Sequence, residues 1–364
     1  MEEYLRKLVA YKTVVGNTKA IDDSLDWLEA YFSDHYMYTH RIAHNGVGSL
    51  IATTKPTREP RVLLQAHLDV VAAKDTQFKL ILDGDKLIAR GAYDMKFAIA
   101  VFMELVADMQ SIIGDYDFGI MITSDEEDGG HNGVKYLLDD GWSAGVCILP
   151  DGGDNWKLEE TAKGFWLLEA IAHGKAAHGS RPWDGDNAID RLLGFIRETE
   201  KPFAKQTATT PTLAVTTING GTAVNQIPDI ARASLDIRTT KTGNHHEIMA
   251  AIRNNAAKYR VEVERVFGGE PHTTNVKDTT VQSFLEITSQ VRKESLGLSK
   301  SLGASDGRFF ASHDITTLIM RPRGGGAHGP DEWVNKTDLP VFKRILREFL
   351  NKHATYAVDK SVTN

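Results

Sequence analysis

The first 150 residues repeat one pattern: an apolar run of strand character, then a loop that carries acidic residues, then a segment with helix-spaced apolar positions. Alternating strands and helices predict an α/β sheet with helices on its faces. In such sheets ligands bind at the carboxyl ends of the strands, where the loops begin. We therefore expect the acidic loops to meet at one edge of a sheet and to form a binding site there.

The spacing of apolar residues also predicts where the individual elements of this region lie. The predicted helices cover 2–13, 19–35, 96–113 and 131–140, and the predicted strands cover 37–43, 48–53, 61–71, 116–123 and 146–150. A short hairpin is expected to turn at Asp83–Gly84, because an Asp-Gly pair between apolar runs favours a tight turn.

Between residues 163 and 272 the pattern changes. Strands are predicted at 164–173, 211–219, 230–238 and 261–268, with helices at 187–200 and 244–259. This βαββαβ order is typical of a ferredoxin-like unit. Helix 279–295, strand 315–320 and helix 338–354 then return to the earlier style. We predict a discontinuous catalytic domain, 1–162 plus 273–364, with an inserted α+β domain, 163–272, that serves as a lid or dimerisation module.

Composition and charge limit the kinds of binding partner and the compartment that we expect for this protein. The net charge of -7 and the pI near 6.0 give no electrostatic reason to expect nucleic acid or an anionic membrane. The single cysteine, Cys147, excludes disulfide stapling and is best explained as a buried small residue in a reducing compartment. The amino terminus is charged and no segment is apolar enough to span a membrane, so we expect a cytoplasmic protein.

His67 and Asp69 stand two residues apart on an apolar run, so that on an extended strand both side chains would lie on one face. A metal-binding histidine needs an acceptor for its second nitrogen, and Asp69 could bind that nitrogen or fix the surrounding loop. A strand end that happens to carry a polar pair explains this segment equally well. Further candidates are Asp94, which could instead be a helix cap, Glu127, Asp151 and His328.

Together these residues make two histidines and three carboxylates. Such a set suits two divalent ions with one carboxylate as a bridge, because each zinc ion takes about three protein ligands and leaves an open position. Calcium and magnesium would not favour histidine. The combined set therefore predicts a zinc site more strongly than any member does alone.

The motifs around these residues closely resemble those of the M20 metallopeptidase family, which includes succinyl-diaminopimelate desuccinylases, acetylornithine deacetylases, glutamate carboxypeptidases and related di- and tripeptidases. The matching motifs are His67-Leu-Asp69-Val-Val, Gly91-Ala-Tyr-Asp94-Met-Lys, Asp125-Glu126-Glu127, Pro150-Asp151-Gly and Ala327-His328-Gly. They follow the order of the family and span nearly the whole chain. The resemblance implies a three-layer α/β/α, zinc-exopeptidase-like catalytic domain.

The resemblance also implies a role for each metal-site residue. Asp94 would bridge two zinc ions, for which cobalt or manganese could substitute. The pairs that would hold the separate ions are His67 with Asp151 and Glu127 with His328. Glu126 would be the general base that accepts a proton from water, and Asp69 the carboxylate that supports His67.

The inserted domain carries further family-like positions. His178, in Ala-His-Gly-Ser-Arg-Pro-Trp, would donate to the oxyanion of the tetrahedral intermediate in the neighbouring subunit's site, although a surface histidine beside a turn is the alternative. Asn225 and Arg238 match positions that grip substrate, and an arginine fork suits a carboxylate. Arg238 could equally be a surface charge at a strand end. Arg308, in the catalytic domain, is a further candidate for substrate binding.

Two positions depart from the usual family pattern. Phe97 stands where many members have glycine, and Gly179 replaces a commoner serine after the lid histidine. Neither is an expected metal ligand, so they bear on substrate shape more than on chemistry. The loops around Trp183, Arg308, Arg321 and Arg323 would set specificity, and the sequence alone does not name the substrate.

The sequence therefore predicts a homodimeric two-zinc amidohydrolase that cuts a small peptide or an N-acyl amino acid. One alternative is a non-catalytic homologue that uses the fold for binding or assembly, but such a protein has no use for a base such as Glu126 beside a metal pair. Another is a metal-dependent enzyme of different chemistry, such as an isomerase or a phosphoesterase. His178 and Arg238 argue against the latter, because they suit acyl transfer.

Overall fold

The chain forms two compact units, seen in a computed structural model that describes residues 1–240 and 244–355. The first unit contains Met1–Thr161, Thr273–Ser301 and the segment from Ser305 onward, and the second contains Ala162–His272 with Leu302–Ala304. The helices are α1 (Glu2–Ala10), α2 (Thr18–Asp34), α3 (Lys96–Met109), α4 (Val134–Asp139), α5 (Ala188–Glu200), α6 (Asn244–Tyr259), α7 (Thr279–Arg292), α8 (Gly307–Ser312) and α9 (Asp338–His353).

Most strands are short. They are β1 (Tyr38–His44), β2 (Val47–Thr53), β3 (Val62–His67), β4 (Ile81–Asp83), β5 (Lys86–Ile88), β6 (Phe118–Thr123), β7 (Val146–Ile148), β8 (Leu158–Ala162), β9 (Gly164–His173), β10 (Ala177–His178), β11 (Thr212–Gly220), β12 (Gln226–Ile227), β13 (Ile230–Thr239), β14 (Val261–Gly269), β15 (His272–Thr273), β16 (Leu298–Ser301), β17 (Thr316–Leu318), β18 (Gly324–Gly325) and β19 (Trp333–Asn335).

The first unit is built on a mixed six-stranded sheet with the order β1-β2-β6-β3-β7-β17. Strands β6, β3, β7 and β17 run parallel, whereas β1 and β2 form an antiparallel edge. Every residue of β3, β6 and β7 is buried, so both faces of the central strands are covered. This architecture confirms the predicted α/β class.

The second unit is a four-stranded antiparallel sheet with the order β11-β13-β9-β14. Helix α5 follows β9 and helix α6 follows β13, which gives the predicted ferredoxin-like βαββαβ order. The unit has its own hydrophobic core, formed by side chains of the sheet and of both helices, such as Leu168, Leu192, Phe195, Leu235 and Ile252. The α+β part of the fold prediction is therefore confirmed.

Local hydrogen bonds explain where the predicted element boundaries were wrong. The strand predicted to reach residue 71 ends at His67. The bond from Leu68 N–H to Thr123 O is the last of the β3–β6 ladder, and Val70 then pairs with Val14. The helix predicted from 131 begins at Val134. The N–H groups of the two residues before it, Asn132 and Gly133, are bound to the Asp125 carboxylate at 2.8 and 3.0 Å.

Helices were also predicted too long at their carboxyl ends. Those expected to reach residues 13, 113 and 295 end at Ala10, Met109 and Arg292. The hairpin turns at Gly84–Asp85, one residue later than predicted, and Gly84 has a φ of 55° there. Among the described residues, none of the helices is both long and apolar enough to cross a bilayer.

A buried ion pair joins two loops of the first unit. Arg90 Nη1 lies 2.6 Å from Glu332 Oε2, and both side chains are almost fully buried. The other carboxylate oxygen of Glu332 accepts the backbone N–H groups of Tyr93 and Asp94, each at 2.9 Å. Arg90 Nη2 also donates to the backbone oxygen of His328 at 3.0 Å. The pair therefore holds the Asp94 and His328 loops together.

We expect Arg90→Met to lower the free energy of unfolding by about 3–5 kcal/mol, because it leaves the buried Glu332 carboxylate without its cation. Arg58→Met is a matched control, since Arg58 pairs with Asp140 at 2.9 Å on the exposed surface, and its loss should cost less than about 1 kcal/mol. Urea unfolding of both variants measures the difference. Equal losses would show that the buried pair does not stabilise the two loops.

Candidate metal centre

Parallel strands bring four of the predicted site residues to one edge of the sheet. His67 is the last residue of β3, Glu126 and Glu127 follow β6, and Asp151 follows β7. Strand β3 lies between β6 and β7, and all three run in the same direction. The expectation that the acidic loops meet at the carboxyl ends of the strands is therefore confirmed.

The remaining two predicted ligands come from loops outside this sheet. Asp94 lies between β5 and α3, and His328 lies between β18 and β19. Strands β5 and β19 pair directly, with Trp333 opposite Ile88, so their two loops are brought to the same place. His328 has a φ of 62°, a left-handed conformation that is uncommon for residues other than glycine.

The side chains form two groups, each with ligand atoms within 4.8 Å of one another. Their members are His67, Glu126 and Asp151 in one group and Asp94, Glu127 and His328 in the other. Asp94 faces both groups, because its Oδ1 lies 3.3 Å from His67 Nε2 and its Oδ2 lies 3.3 Å from His328 Nε2. All five predicted ligands are thus brought together, with Glu126 as a sixth potential ligand.

Asp69 lies just beyond the end of β3, yet its side chain still lies beside His67. The nearest acceptor to His67 Nδ1 is the Asp69 backbone oxygen at 3.0 Å, and the carboxylate is farther away, at 3.5 Å. That carboxylate accepts the backbone N–H groups of Glu126 and Glu127 at 3.3 and 3.0 Å. Asp69 thus positions both the histidine ring and the glutamate loop.

The crowded acids shift one another's protonation. Burial raises the pKa of Glu126 well above its usual value, and the charge of Asp151 raises it further. Burial and then Asp94 raise the pKa of Asp151 to about 6. Hydrogen bonds to Asp94 and then Glu127 raise the pKa of His328 to about 10. Glu126, Asp151 and His328 therefore hold protons more strongly than usual, because the group carries more negative charge than its surroundings offset. Burial acts in the same direction on Asp94, but hydrogen bonds from His328 and His67 outweigh it and hold the pKa of Asp94 well below its usual value.

The same excess of negative charge fits divalent cations. Carboxylate oxygens and imidazole nitrogens are the ligands that zinc accepts, and each group supplies three of them. His67 is oriented for this role, because its Nδ1 is engaged by Asp69 while Nε2 faces Asp94. The residues present are therefore suited to hold metal ions.

From the sequence, Arg321 was expected only to lie near loops that set specificity. In the structure it lies beside the clustered acids. Its Nη1 is 3.7 Å from Asp94 Oδ1 and 3.9 Å from Asp151 Oδ1. Its Nε donates to Asp154 Oδ1 at 2.8 Å, and the guanidinium lies 4.0 Å above the ring centroid of Tyr93. The run Arg-Pro-Arg before the glycine-rich loop was the available signal, but nothing in it indicated which arginine faces the acids.

Two buried acids behind the cluster were also missed as functional candidates. Asp306 is fully buried and its Oδ2 accepts a 3.4 Å hydrogen bond from Gln65, which lies on β3 two residues before His67. Burial raises the pKa of Asp306 to about 8. Asp125 caps the segment before α4, as described above. Asp306 and Asp125 both bind residues close to the site, and a sequence pattern does not reveal these contacts.

In the second unit the structure brings His178 and Asn225 together. Strands β10 and β12 pair His178 with Gln226, and Gly179 N donates to Asn225 O at 2.7 Å. A Cβ atom on Gly179 would lie only 3.0 Å from that oxygen, so the departure to glycine permits this close approach. Ser180 N donates to His178 Nδ1 at 3.2 Å, which leaves the neutral ring's proton on Nε2.

Arg238 lies elsewhere in the same unit. It pairs with Phe165 near the start of β9, whereas β10, which carries His178, follows the other end of that strand. Phe165 and His173 are eight residue steps apart, which is roughly 27 Å along β9. The Arg238 guanidinium donates to both carboxylate oxygens of Asp236 at 2.7 and 2.8 Å. Its predicted role in binding substrate stays a prediction.

Arg308, in the first unit, is buried. It donates to the backbone oxygens of Ser305 and Gly129, each at 2.8 Å, which connects α8 to the loop that carries Glu127. A direct contact with substrate stays a prediction for this residue too.

Comparison with known proteins agrees with the site. The chain matches the family described as peptidase family M20/M25/M40 over residues 63–352. A succinyl-diaminopimelate desuccinylase of Paracoccus denitrificans is 28% identical over 341 residues, which cover 86% of this chain and 88% of the relative. An acetylornithine deacetylase of Buchnera aphidicola is 23% identical over an alignment of 377 positions that covers 96% of this chain and 97% of the relative.

Solved structures show the same fold. A tripeptidase of Staphylococcus aureus has a TM-score of 0.79 at 19% identity, covering 97% of this chain and 98% of that protein. An M20 family metallo-carboxypeptidase of Sulfolobus solfataricus has a TM-score of 0.79 at 17% identity, covering 96% and 98%. Because the family match covers well over half of the chain and includes the clustered acids and histidines, the chain belongs to peptidase family M20/M25/M40 and is a metallohydrolase of that family.

Proposed function

We propose that this protein is a two-zinc amidohydrolase that cleaves the amide bond of a small peptide or an N-acyl amino acid. The observation that carries the proposal is the position of Asp94, whose two carboxylate oxygens each lie 3.3 Å from a different histidine. A carboxylate in this position can bridge two ions. His67 and Asp151 would hold one ion, and Glu127 and His328 the other.

Zinc ions held there would polarise the amide carbonyl and lower the pKa of a water molecule. Glu126 is the proposed general base, with a carboxylate oxygen that accepts the proton of the attacking water and passes it to the leaving nitrogen. Asp69 keeps Glu126 in place, because its carboxylate binds the Glu126 backbone N–H at 3.3 Å.

His178 is the proposed donor to the oxyanion. Its Nδ1 accepts from Ser180, so Nε2 carries the proton and is free to donate on an exposed loop of the second unit. We propose that it acts in the site of a partner subunit and that the protein is a homodimer. The exposed edge strand β11 supports this, since an unpaired edge can extend a sheet across a two-fold axis.

Relatives indicate the substrate class. The desuccinylase and deacetylase relatives favour an N-acyl amino acid, whereas the structural likeness to a tripeptidase favours a peptide. Turnover of matched panels of N-acyl amino acids, dipeptides and tripeptides by zinc-loaded protein tests the proposal. Absence of hydrolysis across all three panels, with both ions bound, would contradict it and favour a binding protein that uses the same fold.

We expect Glu126→Gln to retain both ions while kcat falls by roughly a hundred- to ten-thousand-fold, because the amide keeps the size of the side chain but cannot accept the proton. The adjacent Glu127→Gln is the matched control and should lose metal. Metal analysis with steady-state kinetics compares the two. If Glu126→Gln lost an ion as Glu127→Gln does, Glu126 would be a ligand of the His67 group and another residue would be the base.

We expect Asp94→Ala to lose more zinc than either His67→Ala or His328→Ala, because a bridging carboxylate serves both ions. Asp128→Ala removes an exposed acid next to Glu127 and should keep both ions. Metal counts after dialysis against metal-free buffer measure these losses. Retention of both ions by Asp94→Ala would rule out the bridge.

We expect His178→Ala to lower kcat without changing the metal content, because the residue belongs to neither group of proposed ligands. Mixed dimers of His178→Ala and Glu126→Gln subunits then test where the histidine acts. If it acts across subunits, each mixed dimer contains one complete site and regains activity. No recovery in dimers shown to have exchanged subunits would mean that His178 acts within its own chain or not at all.

A further inference from the structure

We infer that Arg321 makes the two proposed metal positions unequal in affinity. Its positive charge weakens the binding of the ion held by His67 and Asp151 relative to the ion held by Glu127 and His328. The inference rests on the proposed two-ion site and adds to it a difference in affinity. Its basis is the one-sided placement of the guanidinium among the acids.

The guanidinium approaches carboxylate oxygens that belong to the His67 side. Asp94 Oδ1 lies 3.7 Å from Arg321 Nη1 and is the same oxygen that faces His67 Nε2. Asp151 Oδ1, in the same group as His67, lies 3.9 Å from Nη1. Asp94 Oδ2 faces His328 instead. On the other side, Glu127 forms an ion pair with His328.

Arg321 is held firmly in this place. Nε is bound to Asp154 Oδ1 at 2.8 Å, and Tyr93, whose ring lies beneath the guanidinium, donates its hydroxyl to the same oxygen at 3.0 Å. The backbone oxygen of Arg321 accepts from Trp156 N at 3.0 Å. Only 11% of the side chain is exposed, so the arginine cannot swing into solvent without losing these contacts.

Nη1 itself is buried and, in the part of the chain that the structure describes, has no hydrogen-bond partner. An arginine is always charged, and an N–H group without a partner is costly to bury. The position is therefore stabilised by the charge of the two acids and not by hydrogen bonds to them. A cation that neutralises these oxygens also competes with any metal ion that would bind them.

Coulombic repulsion sets the direction of the effect. A positive charge beside a divalent ion raises the free energy of the bound state, and the repulsion is strong where water is excluded. Removing the charge should therefore tighten the His67–Asp151 position. The opposite result is expected if Arg321 merely orients Asp94 and Asp151, because loss of an orienting partner costs affinity.

The test is zinc titration of the dialysed full-length protein by calorimetry, with bound zinc counted by metal analysis. We expect the wild type to bind two ions with different dissociation constants. Arg321→Met, which keeps a long chain over Tyr93, should tighten the weaker constant by roughly tenfold or more, because a repulsive charge is removed from a site that excludes water. Arg321→Lys keeps the charge and should retain the inequality. Arg321→Gln provides a second neutral side chain if the methionine variant does not fold.

Arg323→Met is the matched control. Arg323 stands two residues farther along and pairs with Asp338 instead of the cluster, so its loss should leave both constants unchanged. Adding Arg321→Met to His328→Ala, which spares the His67 position, should tighten the binding of the remaining ion. Adding it to His67→Ala should not. These two backgrounds identify which position the arginine affects.

The two hypotheses fail in different ways. If folded Arg321→Met binds two ions with the same two dissociation constants as the wild type, or if it binds zinc more weakly, Arg321 does not create the inequality. The two-ion site still stands in that case. If neither protein binds a second ion at any zinc concentration tested, the two-ion proposal itself is wrong and the inference fails with it. Thermal unfolding in chelator shows whether each variant is folded.

Discussion

The buried pair of Arg90 and Glu332 is the interaction on which the candidate site most depends. The acids after β6 and β7 are placed by parallel strands, but the Asp94 and His328 loops belong to a different, smaller sheet. Glu332 binds the backbone of Asp94, and Arg90 binds the backbone of His328, while the two charges neutralise each other. Because both side chains are buried, neither can leave without exposing the other as an unpaired charge in the interior.

The site that this pair holds together contains several negatively charged carboxylates. Asp94, Glu126, Glu127 and Asp151 lie close together, and the structure offsets their repulsion with the two histidines and with Arg321. Asp69 has two roles, because its carboxylate positions the glutamate loop while its backbone oxygen orients His67. The remaining negative charge suits cations, which is why burial of so many acids is compatible with a folded chain.

Much of the architecture was predictable from residue order. The α/β class, the ferredoxin-like strand order and most elements followed from apolar periodicity, because core packing imposes a period of two on strands and 3.6 on helices. Ends of elements were less predictable. Helix α4 starts late because Asp125 binds the N–H groups before it, and β3 stops at His67, after which Val70 pairs with Val14 instead of β6. Such ends depend on partners distant in the chain.

The sequence by itself indicated which residues come together in the candidate site. His67, Glu126, Glu127 and Asp151 follow strands whose carboxyl ends meet in a sheet of this kind, and the motifs around Asp94 and His328 resemble those of the family. It also determined the hydrolase family through those motifs. Only the tertiary structure decided that Asp94 faces both histidines and that Asp69 acts mainly on the glutamate loop. It also separated Arg238 from His178 and placed Arg321, not Arg323, among the acids. These distinctions depend on distances and directions between side chains far apart in sequence, which local residue patterns do not encode.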